Sequence, residues 1–336
     1  MRYRSLSACR GELMGLAMLW VMLFHADHLT TDHLLLKVVR LSGSCGVDVF
    51  LLLSAMGLAV SLSRSPALGR YFRRRFARVL PAFWLVAGVY GLCLVLAGRL
   101  PPSILFWDLS TLYFWVGIPG AFNWYIPALL AFYLAAPFCC RALKRIGRRE
   151  WLVLLWAAAG TALTLLAPRL GLAHLAPFLS RIPIFSLGLL MGLYVAEDRQ
   201  PGRLDYALWA AGLAIALAMG GAMVQVLFLL PLPLPFALAA VPLCLLAAFV
   251  LERWSGSLLR RFLALVGACS LEIYLLNVVF TREYGLLSRM LPAGPHNLIY
   301  YICCWCLNLL LGILLHRGLE AVRQRLAVRR PREETG

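Results

Sequence analysis

The sequence contains few charged residues, and acidic residues are especially scarce. Asp, Glu, Lys and Arg make up 14% of the 336 residues, whereas 62% are hydrophobic, and the mean hydropathy is +0.81. Soluble domains carry about 25% charged and about 45–50% apolar residues. This composition excludes an ordinary soluble protein and predicts one that lies in a membrane.

Two further features are missing: segments that alternate like membrane β-strands, and any repeat of 20 to 50 residues. Instead, apolar runs of about 20 residues recur along the chain, and in lipid such a run must satisfy its own backbone as a helix. We therefore expect an all-α, polytopic membrane helical bundle. We expect one transmembrane domain over residues 1–320 and a short basic cytoplasmic tail over 321–336.

Metal-site patterns are also missing. The ten cysteines lie mostly inside apolar runs and have no zinc-site spacing, so they are interpreted as small buried hydrophobic residues. The stretch "HADHLTTDH" offers five possible ligands, namely His25, Asp27, His28, Asp32 and His33. No glutamate follows the first histidine as in the zinc protease motif, and we expect no metal.

Hydropathy predicts ten spans. They cover residues 11–29, 44–63, 80–98, 121–140, 151–168, 178–196, 204–223, 232–251, 262–281 and 297–316. The aromatic segment 103–119 carries Asp108 and ends at a proline, so it is predicted to be interfacial or re-entrant.

Basic residues support this count, because 25 of the 32 Lys and Arg fall in alternate connecting segments when the N-terminus is cytoplasmic. That distribution follows the positive-inside rule and places both termini in the cytoplasm. The net charge of +17 is therefore interpreted as a topology signal with attraction to membrane lipids, not as nucleic-acid binding.

Ionisable groups inside a membrane are costly and are candidates for function. His25 ends the first span, and its imidazole could act as a general base near neutral pH. Asp48, at the start of the second span, would orient that ring. The alternatives are an interfacial histidine and an aspartate that caps a helix.

Other polar residues fall at similar predicted depth on different spans, which suggests one cavity. They are Asn123, Trp124, Tyr125, Arg181, Glu272 and Asn277.

A dense arginine cluster, "RYFRRRFAR", lies in the predicted cytoplasmic loop 64–79. It is either a topology anchor that reaches lipid phosphates or a phosphate receptor, for which guanidinium groups are well suited.

Four stretches in order resemble one family: "LMGLAMLWVMLFH", "GVDVFLLLSAMGLAVSL" with "YFRRRFARVLPAFW", "FNWYIPALLAFYLAAP" and "CSLEIYLL". Over nearly its full length, the chain resembles the acyltransferase-3 family of bacterial integral membrane acyltransferases. The resemblance implies an O-acyltransferase of the bacterial cytoplasmic (inner) membrane. Such an enzyme moves acetyl from acetyl-CoA, as co-substrate, to a hydroxyl of a cell-surface or exopolysaccharide sugar, a lipid-linked sugar or a related acceptor.

The chain departs from the family pattern at Met14, where an arginine is common, and at Asn277, where a histidine is common. Arg10 lies one helical turn before Met14 and would take the arginine's place.

Together, these points give a hypothesis for the mechanism. Arg10 and His25 are about 22 Å apart along a helix, so a long donor must bridge them. Coenzyme A phosphates would be held by Arg10, Arg74, Arg75 and Arg78, while His25 accepts the proton of the acceptor hydroxyl. Asn123, Tyr125 and Glu272 would bind acceptor hydroxyls, with Trp124 stacked on the sugar. Arg181 or Asn277 would stabilise the oxyanion.

One alternative from another class is a transporter or flippase of lipid-linked sugars without acyl chemistry. Such proteins show broken helices and repeated halves, and neither is evident from the sequence. A regulatory membrane protein whose site has decayed is a third possibility, and Met14 favours it.

Overall fold

The computed structural model describes residues 2–26, 34–64, 67–117, 122–225, 233–283 and 298–328. Every regular element in these ranges is a helix and none is a strand, which confirms the all-α prediction. The helices of the first half are α1 (Tyr3–Ala8), α2 (Arg10–Phe24), α3 (Leu34–Leu41), α4 (Gly46–Ser63), α5 (Leu68–Leu96), α6 (Pro102–Leu109), α7 (Tyr125–Arg145) and α8 (Arg149–Leu166). Those of the second half are α9 (Ala176–Leu179), α10 (Ile182–Ala196), α11 (Arg203–Gln225), α12 (Pro233–Arg253), α13 (Leu258–Ala268), α14 (Ser270–Arg282) and α15 (Leu298–Val328).

The chain is a multi-pass membrane protein. Seven helical segments among the described residues are long and apolar enough to cross a membrane, and α13 with α14 forms an eighth if the bent pair is one span. Helix α2 has 15 residues, about 22 Å, which is short of a hydrocarbon core of about 30 Å. The count of ten spans and the cytoplasmic placement of the termini stay predictions.

The predicted ninth span, 262–281, is wrong as a single helix. The chain bends by 73° between α13 and α14, at Cys269. No proline marks the bend, so hydropathy alone predicts one continuous span. The bend turns the first residues of α14 toward the interior of the bundle, where Ser270 and Leu271 line a cavity.

The prediction that residues 64–79 form a loop is also wrong over most of that range. Helix α5 begins at Leu68, so the arginine cluster lies on its first turns, and the helix continues through Pro81. Arg, Leu and Ala are good helix formers, and no proline or mid-segment glycine interrupts residues 70–80. Similarly, α15 runs past the predicted span end at 316 to Val328, so the predicted tail 321–336 begins as helix.

Segment 103–119, predicted to be interfacial or re-entrant, contains α6, a helix of eight residues with none buried. At about 12 Å, α6 is too short to cross a membrane.

Helices α4 and α10 form the centre of the bundle. Most residues of both are buried, and they cross where glycines remove the side chain. A Cβ on Gly188 would lie 2.5 Å from the Leu52 carbonyl oxygen, and one on Gly192 would lie 2.4 Å from that of Met56. Small residues four apart allow this close approach of membrane helices. The contact packs the middle of α4 directly on the backbone of α10.

Candidate functional site

Among the described helices, one cavity lies near each end of α2. The arginine cavity has a volume of about 320 Å³ and is lined by Arg10, Arg75 and Arg78 among others. The histidine cavity, about 440 Å³, is lined by His25, Trp124 and Arg181 among others. The structure therefore separates the predicted phosphate-binding residues from the predicted base.

Three of the four arginines predicted to hold phosphate line the arginine cavity, and Arg74 does not. The Arg74 side chain is exposed, because it lies on the outer face of α5. Arg75, one residue on, lies against the Tyr71 ring, 5.8 Å from the ring centre. No carboxylate among the described residues pairs with Arg75 or Arg10, so both keep their positive charge uncompensated at the cavity.

Arg10 and Met14 both line the arginine cavity from one face of α2. Nε of Arg10 donates to the Leu53 carbonyl oxygen at 3.1 Å, which fixes the guanidinium against α4. Spacing of four residues on a helix puts both side chains on one face. Arg10 thus places a positive charge in the same cavity that an arginine at position 14 would line.

Glu272, predicted to bind acceptor hydroxyls, lines neither cavity and is paired with other side chains. Its buried carboxylate accepts hydrogen bonds from Arg78, from Nη2 to Oε2 at 3.3 Å and from Nη1 to Oε1. Nδ1 of His316 lies 3.3 Å from Oε1. The carboxylate therefore neutralises Arg78, which lines the cavity with a compensated charge. Two residues predicted for different ligands pair with each other.

At the other cavity, His25 ends α2, and its Nδ1 hydrogen-bonds to Oδ1 of Asn277 on α14. When Nδ1 carries the proton and donates it to this amide oxygen, the lone pair of the ring is on Nε2, the form that a general base needs. Asn277 is 5% exposed, so its amide is held in place by packing. The predicted orienting role of Asp48 is taken in the structure by Asn277.

Asp48 pairs with Arg181, not with His25. Its Oδ1 lies 3.2 Å from Nε of Arg181, and both side chains are buried, at 0% and 6% exposure. The angle is not that of a hydrogen bond, and neither Asp48 oxygen accepts one from a described group. The alternative interpretation of Asp48 as a helix cap is therefore also wrong. Arg181 lies 5.7 Å from the centre of the Trp124 ring, and both residues line the histidine cavity.

The side chain of Asn123 caps the start of α7. Its Oδ1 accepts from the backbone N–H of Tyr125 at 2.7 Å and of Ile126 at 3.2 Å. This satisfies two of the free donors at the start of α7 and sets where that helix begins. The next two side chains then face different cavities: Trp124 lines the histidine cavity and Tyr125 the arginine cavity.

Sequence reasoning missed several lining residues. Tyr133 lines the arginine cavity together with Tyr125 and Leu129, a spacing of four that marks one face of α7. Val47 and Tyr274 line both cavities. Spacing could have indicated Tyr133, but nothing local in the sequence indicates that Val47 and Tyr274 line the same two cavities.

The possible metal ligands Asp27, His28, Asp32 and His33 lie outside the described residues. Among the residues that the structure does describe, no three His, Cys, Asp or Glu side chains form a group that could hold a metal ion.

The sequence also matches known proteins. A family model described as an acyltransferase domain matches residues 13–317. The chain belongs to the acyltransferase-3 family. The predicted family and the acyltransferase class are thereby confirmed. The match covers the arginines of α5, His25, Asp48 and Asn277, whereas Arg10 lies just before it.

A part of the chain is also similar to a curated acyltransferase of the same kind. It is 35% identical over 135 residues to the acyltransferase MdmB of Streptomyces mycarofaciens, and the match covers 36% of this chain and 33% of that protein. The chain thus matches about a third of the length of that relative. No solved structure matches the chain.

Proposed function

We propose that this member of the acyltransferase-3 family moves an acetyl group from acetyl-CoA to a hydroxyl of a cell-surface or exopolysaccharide sugar, or of a related acceptor, at the bacterial inner membrane. The observation that carries the proposal is the arrangement of the two cavities. One has uncompensated arginines, the other a histidine whose Nδ1 is hydrogen-bonded to Asn277, and they share Val47 and Tyr274. A long donor with phosphates at one end and a thioester at the other suits that arrangement.

The arginine cavity would take the phosphate end of the donor. Arg10 and Arg75 offer guanidinium donors with no carboxylate partner among the described residues, and guanidinium groups bind phosphate in a bidentate way. Arg78 contributes less charge because Glu272 compensates it. Arg74, which is exposed, has no part in donor binding inside the cavity.

His25 would act as the general base in the histidine cavity. Nε2 of the ring accepts the proton of the acceptor hydroxyl while that oxygen attacks the thioester carbonyl carbon. The tetrahedral intermediate collapses, the C–S bond breaks, and the imidazolium returns its proton to the leaving thiolate. The products are the O-acyl ester and free coenzyme A thiol, and His25 is again neutral.

Arg181 would stabilise the oxyanion of that intermediate. It lines the histidine cavity, and its Nη1 has no hydrogen-bond partner among the described groups. Asp48 lies at the Nε side of the guanidinium, which orients it and offsets the cost of its burial. Preorganised donors of this kind commonly give the largest electrostatic contribution to acyl transfer.

Trp124 would form the sugar-binding wall of the histidine cavity. Its ring lines the cavity beside Arg181, so an acceptor sugar could stack on an apolar face while its hydroxyls reach polar groups. An acceptor that is lipid-linked would enter from the surrounding membrane lipids.

The test uses purified protein with acetyl-CoA and a candidate acceptor. We expect His25→Ala to bind acetyl-CoA with unchanged affinity and to lose transfer by about 100-fold or more, because the general base is gone. His174→Ala removes another histidine, one that does not line either cavity, and serves as the matched control with normal transfer. Transfer by His25→Ala at more than a few per cent of the wild-type rate would show that the base is wrongly assigned.

The bend between α13 and α14 favours one alternative, a transporter or flippase of lipid-linked sugars, since broken helices line transport sites. A transporter would move the lipid-linked sugar across a vesicle membrane without release of coenzyme A thiol. An acyltransferase releases one thiol for each ester formed, so a thiol assay distinguishes the two.

A further inference from the structure

We propose that Tyr274 is a gate between the arginine and histidine cavities and that, with Val47, it determines which acyl groups the protein transfers. This inference rests on the proposed function, because it assumes a thioester that passes from one cavity to the other. It adds a residue that selects the acyl chain.

Of the residues that the structure describes, Val47 and Tyr274 are the two that line both cavities. Each side chain therefore has one surface toward the uncompensated arginines and one toward His25. A donor whose phosphates are held at Arg75 must extend past these two side chains before its thioester reaches the imidazole. The acyl group is at the end of the donor farthest from the phosphates, so it is the first part to reach Val47 and Tyr274. We call these two side chains the wall.

Val47 is the immobile half of the wall. It lies in the first turn of α4, it is 8% exposed, and a β-branched side chain in a helix has one strongly preferred rotamer. The neighbouring Gly46 packs so closely on α2 that a Cβ there would lie 2.7 Å from the Ala17 carbonyl oxygen. The backbone that carries Val47 thus has little room to shift.

Tyr274 is the half that can move. Its hydroxyl donates to Asn123 Oδ1 at 3.4 Å, and the same oxygen already accepts two shorter bonds from the start of α7. The bond from Tyr274 is the longest of the three and is the first to give way. The ring also packs edge-on against Tyr125, with centres 5.2 Å apart. Rotation of Tyr274 therefore breaks one weak hydrogen bond, the one to Asn123, and leaves the two bonds that cap α7 in place.

This geometry favours a short acyl group. An acetyl group needs only a small opening beside the Tyr274 ring, whereas a longer chain needs space that Val47 and Tyr274 fill. Removing either side chain should admit longer chains, and enlarging Val47 should narrow the opening for acetyl itself.

The experiment compares initial rates with acetyl-, butyryl- and hexanoyl-CoA at saturating acceptor. For the wild type we expect rates to fall steeply with chain length. For Tyr274→Ala and Val47→Ala we expect the ratio of the hexanoyl to the acetyl rate to rise by tenfold or more. Tyr274→Phe keeps the ring but loses the hydrogen bond to Asn123, and it should keep the wild-type preference for short acyl chains. Val47→Phe should lower the acetyl rate.

Val49→Ala is the matched control. Val49 is also buried near the start of α4 and does not line either cavity, so its loss should leave the chain-length profile unchanged. If Tyr274→Ala does not fold, Val47→Ala and Tyr274→Leu carry the test, with monodispersity in detergent as the criterion for folding.

The possible outcomes separate the gate from the proposed function. If the wild type cleaves no acyl-CoA in the presence of any acceptor, the proposed function fails. If the wild type transfers acetyl but the active Tyr274 and Val47 variants keep its chain-length profile, the gate is overturned and the function stands. A similar profile change in Val49→Ala would also overturn the gate, because it would show a general loosening of the bundle.

Discussion

The carboxylate of Asp48 and the guanidinium of Arg181 lie 3.2 Å apart, Oδ1 to Nε, and both side chains are buried. They join the start of α4 to the residue that precedes α10. Because their angle is not that of a hydrogen bond, the contact is an ion pair that balances charge. A buried pair of this kind is costly to break, since removing one partner leaves the other as an isolated charge.

We therefore predict that Arg181→Ala destabilises the protein by about 3–5 kcal/mol, because Asp48 is left buried without a counter-charge. Arg149→Ala is the control, because its ion pair with Glu197 is more exposed and such pairs contribute about 0–1 kcal/mol. Denaturant unfolding in detergent measures both. Replacing the pair together, Asp48→Leu with Arg181→Met, should restore stability but not acyl transfer. A single variant as stable as the wild type would show that Asp48 is already neutral in the native protein.

Arg75 and Arg74 are adjacent on α5, yet only Arg75 lines the arginine cavity. We predict that Arg75→Ala raises the KM for acetyl-CoA roughly tenfold, the effect of one lost charge-assisted hydrogen bond, with kcat little changed. Arg74→Ala should leave KM within about twofold, since an exposed charge contributes little. Steady-state kinetics with the two variants checks this. Equal effects would place the donor phosphates on the surface of α5 and outside the cavity.

Asp108, between the predicted spans, makes stability depend on pH. Asp108 is half-buried, and the partial loss of solvation raises the pKa of its carboxyl to about 6, which the N–H that Phe122 donates to it only partly offsets. A raised pKa means that the folded state binds the proton more tightly than the unfolded state. Stability from this group is therefore greatest below the unfolded pKa and is lost as pH rises through about 6.

Asp108→Asn should remove this dependence, because an amide keeps the acceptor for Phe122 without a charge. We expect the variant to gain about 1–2 kcal/mol over the wild type at pH 8, after allowing for solvent screening, and to match it near pH 4. Melting temperatures in detergent across this pH range give the difference. A difference that grows as pH falls would contradict the assigned direction.

Hydropathy and the cost of polar groups in lipid account for what the sequence could predict. Apolar runs of about 20 residues located most helices, and isolated polar residues within them pointed to His25, Asp48 and Arg181. Such arguments use a residue and its near neighbours along the chain. They identify which residues are unusual, and for that reason the list of candidates contained every arginine and the histidine that line the two cavities.

Pairings could not be predicted in the same way, because the partners come from helices far apart in sequence. His25 meets Asn277 across 252 positions, and Arg78 meets Glu272 across 194. Both pairings involve α14, which the bend at Cys269 turns toward the site. The sequence has no proline there that would have indicated the bend. Depth alone made Asp48 the expected partner of His25, but depth does not determine which faces of two helices meet.

Asn277 is the basis of the last prediction, because its amide oxygen hydrogen-bonds to Nδ1 of His25 and would hold the proton on that nitrogen. We predict that Asn277→Leu, which keeps the size of the side chain but removes the acceptor, lowers kcat by about tenfold or more. KM for acetyl-CoA should stay unchanged, since Asn277 does not line the arginine cavity. Asn277→Asp keeps an acceptor for Nδ1–H and should retain much more activity than Asn277→Leu. That ordering is what separates a positioning residue from a packing residue, because Leu would serve a packing role better than Asp. The pH–rate profiles check the same point: with Asp at this position the imidazolium is stabilised, so the acid limb of kcat should move to higher pH. If Asn277→Leu has the wild-type kcat, the hydrogen bond to His25 has no role in catalysis.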